Sequence, residues 1–140
     1  MSDAARRDAL AREAYGAMRR LVLDDERRRE VTETVGLSFQ RLRALRRIVD
    51  RPLAMGDLAT LLNVEAPNLT GLVDDLEGLG LVERSPHPGD RRVKVVAITP
   101  TGAVMARLAQ EILDRPPLAL EDLSLEDLES LARILGNSRH

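Results

Sequence analysis

The stretch GLVERSPHPGDRRVKVVAITPTG, residues 80–102, constrains the fold of this chain more than any other. Two short runs with strand character, about Val82–Ser85 and Arg92–Ile98, flank the turn PHPGD. Val93 and Val95 share one face of the second run, while Lys94, Val96 and Ile98 share the other. Both faces are partly apolar, so one of them must lie against helices. Gly80 ends the preceding element, and Thr99-Pro100 starts the next. Arg91, Arg92 and Lys94 follow the turn directly. A hairpin with a cationic tip, set just after a helix, is suited to reach a polyanion.

The rest of the chain reads as helix. The aromatics are Tyr15 and Phe39, so the core must be built from Leu, Val, Ile, Ala and Met, a composition that favours helices. Leu10, Ala14, Ala17, Met18, Leu21 and Val22 recur at helical spacing and predict one long helix from about Asp8 to Val35. The charged run Asp24 to Glu30 reads as its solvated part. Gly36 suits the position after a helix end, and Ser38 caps a second helix with Leu42, Leu45, Ile48 and Val49 on its inner face. Arg51-Pro52 breaks that helix.

A third helix follows, about Met55 to Leu62, with Leu58, Leu61 and Leu62 inward. Asn63-Val64 makes a turn. Pro67 sits in the first turn of a fourth helix running to Leu79, with Leu69, Leu72, Val73 and Leu76 as its apolar stripe. Two helices joined by a tight turn, the second presenting a polar face, form the helix-turn-helix pattern. After the hairpin, Thr99 caps a fifth helix striped by Val104, Met105, Leu108 and Ile112. Arg115-Pro116-Pro117 breaks it. Ser124 caps a sixth, with Asp127 in a capping-box position, Leu123 and Leu128 placed as a staple, and Leu128, Leu131, Ala132 and Leu135 on an apolar face.

The fourth helix is the candidate reading head. Asn68, Gly71 and Asp75 lie opposite its buried stripe, with Thr70 and Asp74 on the flanks. Asn68 can pair with adenine, Thr70 can meet a phosphate or a thymine methyl, and Asp75 either accepts from a cytosine amino group or repels phosphate. Gly71 lets the backbone approach a groove wall. Such a polar face alone is ordinary for a surface helix. The hairpin adds what it lacks: Arg91 or Arg92 can enter a narrow minor groove, and Lys94 and Arg84 can hold phosphates.

Charge is segregated beneath a net value of −2. Residues 38–50 carry Arg41, Arg43, Arg46 and Arg47 against Asp50, while residues 51–80 are acidic and the hairpin is basic again. No cysteine is present, which removes disulfides and thiolate metal sites and fits a reducing cytoplasm. No apolar run approaches a membrane span, and the N-terminal residues MSDAARRDALAREA lack the apolar core of a signal peptide. His87 lies in the hairpin turn and His140 is the last residue, so neither has a triad or metal partner. Asp74 and Asp75 diverge on a helix, and no Gly-rich phosphate loop or metal-ligand spacing appears. The expectation is a cytoplasmic non-enzyme that needs no cofactor.

The segments GLSFQRLRALRRI, LATLLNVEAPNLTGLVDDLEGLGLVER and PHPGDRRVKVVAITPTG, in that order, resemble the MarR family of bacterial transcriptional regulators. The resemblance covers about Val35 to Leu113. Its most specific parts are Asp90-x-Arg92 followed by Ile98-Thr99-Pro100-x-Gly102, with Gly80-Leu81-Val82-x-Arg84 ahead of them. It implies a mainly α, single-domain chain with a small β-hairpin wing. The winged helix-turn-helix lobe would span residues 37–99, and residues 1–36 and 100–140 would interlock in a homodimer. The fourth helix, including Pro67, would enter the major groove of a pseudo-palindromic double-stranded operator. The wing would enter the adjacent minor groove with Arg92 oriented by Asp90.

The resemblance further implies a repressor released by a small, often anionic aromatic effector. Tyr15, Arg19 and Arg43 are the aromatic and cationic residues available for it. Many members carry arginine where Gly71 and Asp75 stand, and a threonine or serine cap where Ala54 stands. The first departure shifts the work of DNA contact to the wing and to the arginines of residues 38–50. The absence of cysteine excludes the family's thiol-based peroxide sensors. Asp74, Asp75 and Glu77 keep open a second class of function, a winged-helix protein-interaction module that has lost DNA binding.

Overall fold

The computed structural model describes residues 2–22 and 25–137. In chain order its elements are α1 (Asp3–Val22), α2 (Asp25–Val35), α3 (Phe39–Ile48), β1 (Leu53–Ala54), α4 (Met55–Leu62), α5 (Ala66–Gly78), β2 (Val82–His87), β3 (Asp90–Ile98), α6 (Pro100–Asp114), α7 (Leu118–Glu121) and α8 (Leu125–Gly136). They fall into two compact units, Asp25–Leu113 and a second made of Met1–Asp24 with Asp114–His140. The expected helix from Asp8 to Val35 is thus described as two, α1 and α2, belonging to different units. Asp24 and His140 lie outside the described residues.

The unit Asp25–Leu113 holds the buried core, which is entirely aliphatic. Leu42, Leu45 and Ile48 of α3 meet Leu58 and Leu62 of α4 and Leu69, Val73 and Leu76 of α5, together with Leu81, Val82 and Val96. Each fully buried leucine contributes roughly 1.5–3 kcal/mol relative to exposure. The local signals act where the sequence places them. The Ser38 hydroxyl accepts from the Arg41 N–H at 3.3 Å and starts α3. Asn63 takes a left-handed conformation (φ 54°) that closes α4, and the Val64 N–H donates to the Ala59 carbonyl at 3.1 Å, so α5 starts within a few residues. Gly36 and Gly80 hold positive φ at the ends of α2 and α5.

Three packing expectations are corrected. Leu61 is 45% exposed, because the inward face of α4 is carried by Leu58 and Leu62, four residues apart. In α6 the buried stripe is Gly102, Ala106, Ala109 and Ile112, while Val104 and Leu108 stand exposed. Small residues let α6 approach its neighbours closely, which turns its larger apolar side chains outward. The charged run in α2 is not simply solvated: Arg28 stacks 4.1 Å from the Phe39 ring centroid, and Arg27 donates to the Leu113 carbonyl at 3.5 Å.

The strands form an antiparallel sheet in the order β1-β3-β2. Leu53 pairs with Val96, Val82 with Ile98, and Arg84 with Val96. Period-two alternation puts Leu53, Val82, Val96 and Ile98 on one face near the core, and Arg84, Lys94 and Arg92 on the same face farther out. The hairpin turn is only Pro88-Gly89, shorter than the expected PHPGD, because β2 continues to His87 across an irregularity at Pro86/His87. β1, two residues long, and the single-turn α7 are additions that no periodicity announces.

In the other unit, α1, α7 and α8 bury no residue fully. Val22, Leu118 and Leu125 are at least 74% exposed, and Leu10, Tyr15 and Ile134 more than half exposed. The Ser124 hydroxyl caps α8 by accepting from the Asp127 N–H at 3.1 Å.

Candidate nucleic-acid interface

Helix α5 and the wing carry the predicted site residues on two neighbouring concavities of one unit. Pro67, Asn68, Gly71 and Asp75 line a notch between α5 and the start of α3, where Gln40 and Arg41 also contribute. Thr70, Arg84, Arg92 and Lys94 line a groove between α5, the start of α4 and the wing. The notch follows from helix geometry. Asn68, Gly71 and Asp75 recur at three- and four-residue spacing opposite the buried Leu69, Val73 and Leu76. The groove follows from strand alternation, which aligns Arg84, Lys94 and Arg92 on one face of the sheet.

At the tip, Asp90 organises Arg92. One Asp90 carboxylate oxygen accepts from the Arg92 backbone N–H at 3.1 Å and from its Nε at 3.3 Å. The Arg92 side chain is nevertheless 93% exposed. The guanidinium is therefore oriented from behind while its outer edge stays open to a partner. Arg91 and Lys94 are exposed as well. Tip geometry is fixed by the Gly89 N–H, which donates to His87 Nδ1 at 2.9 Å. His87 is thus a turn residue.

The acids of α5 are each paired with an arginine from another element. Arg84 of β2 forms ion pairs with Asp74 and, at 3.2 Å, with Glu77; its backbone N–H donates to the second Glu77 oxygen at 2.9 Å. The backbone N–H and then the guanidinium of Arg84 hold the Glu77 carboxyl below the ordinary glutamate range. Glu77 and then Asp74 push the Arg84 guanidinium up in return. Asp75 accepts from Arg41 Nη2 of α3 at 2.5 Å. The acidity of α5, which argued against phosphate nearby, is thereby largely cancelled within the fold.

The same pairing redistributes the expected cation roles. Arg84 is committed to Asp74 and Glu77, with its side chain 25% exposed, and so is a brace between β2 and α5 before it is a phosphate ligand. Of the α3 arginines, Arg41 is committed to Asp75, and Arg46 donates through Nε and Nη2 to Gln110 at 3.0 and 2.8 Å. Arg43 and Arg47 are exposed. The Thr70 hydroxyl donates to the Ala66 carbonyl at 3.0 Å and keeps its lone pairs for an outside donor. Arg41 was not singled out by the sequence; its place in an arginine-rich helix was visible, its reach across to Asp75 was not.

The residues suggested for an effector lie apart in the division into units. Tyr15 and Arg19 belong to α1, with the Arg19 guanidinium 5.9 Å from the Tyr15 ring centroid, and Arg43 belongs to the α3 unit. No group of acidic, histidine or cysteine side chains able to hold a metal occurs among the described residues. No described helix is long and apolar enough to cross a membrane.

Comparison with known proteins agrees with this geometry. A sequence model of the MarR family matches residues 35–93. The transcriptional activatory protein BadR of Rhodopseudomonas palustris is 34% identical, the match covering 76% of this chain and 67% of BadR. An HTH-type transcriptional regulator of Mycobacterium leprae is 31% identical over 53% of this chain, and the match spans about half, 52%, of that relative's length. Among solved structures, the transcriptional regulator BldR of Sulfolobus solfataricus superposes with a TM-score of 0.64 at 29% identity, covering 97% of this chain and 99% of BldR. An Escherichia coli MarR variant bound to operator DNA gives 0.60 at 22% identity, covering 86% and 90%. With an aliphatic helix-turn-helix core, a three-stranded wing and relatives of this kind, the chain belongs to the MarR family of winged helix-turn-helix transcriptional regulators.

Proposed function

We propose that this regulator binds double-stranded operator DNA as a homodimer and represses the adjacent gene until a small ligand releases it. In this reading α5 enters the major groove of each half of a pseudo-palindromic site, and the wing places Arg92 in the flanking minor groove. The observation that carries the reading is the Asp90–Arg92 pair: a guanidinium oriented from behind and 93% exposed at the end of a stiff hairpin. A narrow minor groove concentrates negative potential and attracts such a group. Exposed Arg91 and Lys94 supply further phosphate contacts.

Pairing of Asp74, Asp75 and Glu77 with arginines weakens the motive for a pure protein-interaction module. The homodimer reading is supported by exposed apolar side chains on α1 and α8, including Leu10, Val22, Leu125 and Ile134. A small anionic aromatic effector is the proposed inducer, with Tyr15 and Arg19 offering a ring and a cation on one helix and Arg43 a second cation.

The test is a titration of the DNA flanking the protein's own gene, with footprinting. An inverted-repeat footprint is expected, with affinity falling by orders of magnitude between about 50 and 200 mM salt if a dimer neutralises about six phosphates. Absence of protection at low salt would sink the reading. BadR is named as an activatory protein, so the direction of control is read from a reporter: lowered expression supports repression, and raised expression turns the reading to activation.

A further inference from the structure

We infer that Arg41 and Asp75 act as one composite base reader, in which α3 supplies the arginine that α5 lacks. The inference rests on the operator-binding reading above and names the element that sets part of its specificity. Helix α5 presents no arginine on its exposed face: the positions in line are Asn68, Gly71 and Asp75. Arg41 reaches that face from α3, and its Nη2 is held by Asp75 at 2.5 Å. Gly71, one turn before Asp75, lines the same notch and leaves it open beside the pair, since nothing beyond its own helix backbone lies within 4 Å of where its Cβ would stand.

The donors and acceptors of the pair are only partly used. Arg41 Nη2 and Asp75 Oδ2 engage each other, and the side chains remain 36% and 53% exposed. Arg41 Nε is buried without a hydrogen-bond partner, so the guanidinium sits where it does because the carboxylate anchors it. The end of the guanidinium formed by Nη1 and the second Nη2 hydrogen can donate to guanine O6 and N7, and Asp75 Oδ1 can accept from the N4 amino group of a cytosine. A carboxylate that pins an arginine also removes much of the side-chain entropy lost on binding. The pair is neutral overall, so it adds little to general phosphate attraction and can act chiefly through base identity. Its proposed target is a G·C pair seated over Gly71.

The experiment uses the full chain and the site footprinted with the wild type, changed one base pair at a time. Wild type, Arg41→Ala, Arg41→Lys and Asp75→Asn are titrated against each duplex, and the melting of each variant is recorded. The wild type is expected to prefer G·C at one position of the site by roughly five- to hundredfold. All three variants are expected to flatten that same preference and leave the others in place, Arg41→Lys included because an ammonium lacks the planar fork. Should Arg41→Ala fail to fold, the near-isosteric Asp75→Asn carries the test. If the variants shift affinity uniformly and keep every base preference, the pair is a structural tie and the inference is overturned. If the wild type selects no DNA at all, the operator-binding reading falls and this one with it.

Discussion

The Thr99 hydroxyl donates to the Gly80 carbonyl at 2.7 Å. It also accepts from the Gly102 N–H at 3.1 Å, and the Thr99 N–H donates to the Leu81 carbonyl at 3.0 Å. These bonds tie the exit of β3 and the start of α6 to the turn that ends α5. The wing and α5 are thus held at a common point, and the Thr-Pro-x-Gly sequence acts as a structural clamp. A Cβ at Gly102 would sit 2.1 Å from the Leu81 carbonyl oxygen, a backbone atom that cannot swing away. Gly102→Ala is expected to destabilise the protein by at least about 2 kcal/mol through overpacking. Thr99→Val, which removes the cap and its acceptor, is expected to cost about 1 kcal/mol. Urea denaturation midpoints check both; equal midpoints for Gly102→Ala and wild type would contradict the close approach.

Ala54 occupies the N-cap of α4 with extended backbone (φ −63°, ψ 147°) and no side-chain cap. Ala54→Ser is expected to stabilise by about 1 kcal/mol, because a serine oxygen there can accept a first-turn N–H. The substitution lies at the edge of the wing groove, so the same variant should be titrated with DNA. A raised melting temperature with unchanged DNA affinity is the expected pair of results.

The wing makes a graded prediction. Arg92→Ala is expected to weaken operator binding by at least about 1 kcal/mol. Asp90→Ala leaves the charge of Arg92 in place and removes only its orientation, so its loss should be smaller and should shrink further at low salt, where unspecific attraction grows. Anisotropy titrations at two salt concentrations separate the two. An Arg92→Ala protein that binds like wild type would take the wing out of the interface.

Helix boundaries and the helix-turn-helix core were legible from the sequence because Gly36, Ser38, Pro52, Pro67, Gly80 and Pro100 punctuate it at the ends of elements. The wing was legible because two short apolar-containing runs flank a Pro-Gly turn, and Val96 in the second is fully buried. What the sequence hid was packing by small residues and pairing over distance. Gly102, Ala106 and Ala109 carry the inner face of α6 although Val104 and Leu108 are the larger hydrophobes. Arg84 and Arg41 look like free cations until the fold brings Asp74, Glu77 and Asp75 to them. Those partners lie on other elements, and only the tertiary arrangement decides which arginine meets which acid.

The Glu77–Arg84 brace makes stability depend on acid pH. The folded protein holds the Glu77 carboxyl below its ordinary range, chiefly through the Arg84 backbone N–H. A carboxyl depressed in the folded state contributes stability above its unfolded range, and that contribution is lost as pH falls through the folded value. Arg84 stays protonated throughout, so it adds no titration of its own. Glu77→Gln keeps an acceptor for the Arg84 N–H and removes the charge. Wild type should therefore exceed Glu77→Gln in denaturant midpoint at pH 7, and the gap should narrow as pH falls below the ordinary glutamate range. A gap that persists at acid pH would assign the difference to side-chain packing instead.

Residues after Arg115 are expected to be required for a soluble dimer. Helix α8 is capped by Ser124, and Leu128, Leu131 and Leu135 recur at three- and four-residue spacing on one side of it, with Leu135 45% and the adjoining Leu125 74% exposed, an apolar side that a second copy can cover. Helix α1 likewise exposes Leu10, Tyr15 and Val22. Cutting the chain after Arg115 removes one of these surfaces and leaves the other uncovered. The expected product is insoluble or monomeric, as read by sedimentation velocity against the full chain. A double substitution sharpens the reading: Leu128→Glu with Leu135→Glu, seven residues apart on one side of α8, should shift the full chain toward monomer while leaving the core of residues 25–113 folded by circular dichroism. Because a monomer engages only one half of a pseudo-palindrome, operator affinity should fall in step with dissociation. A truncated or doubly substituted protein that sediments as a dimer would place the dimer contact elsewhere.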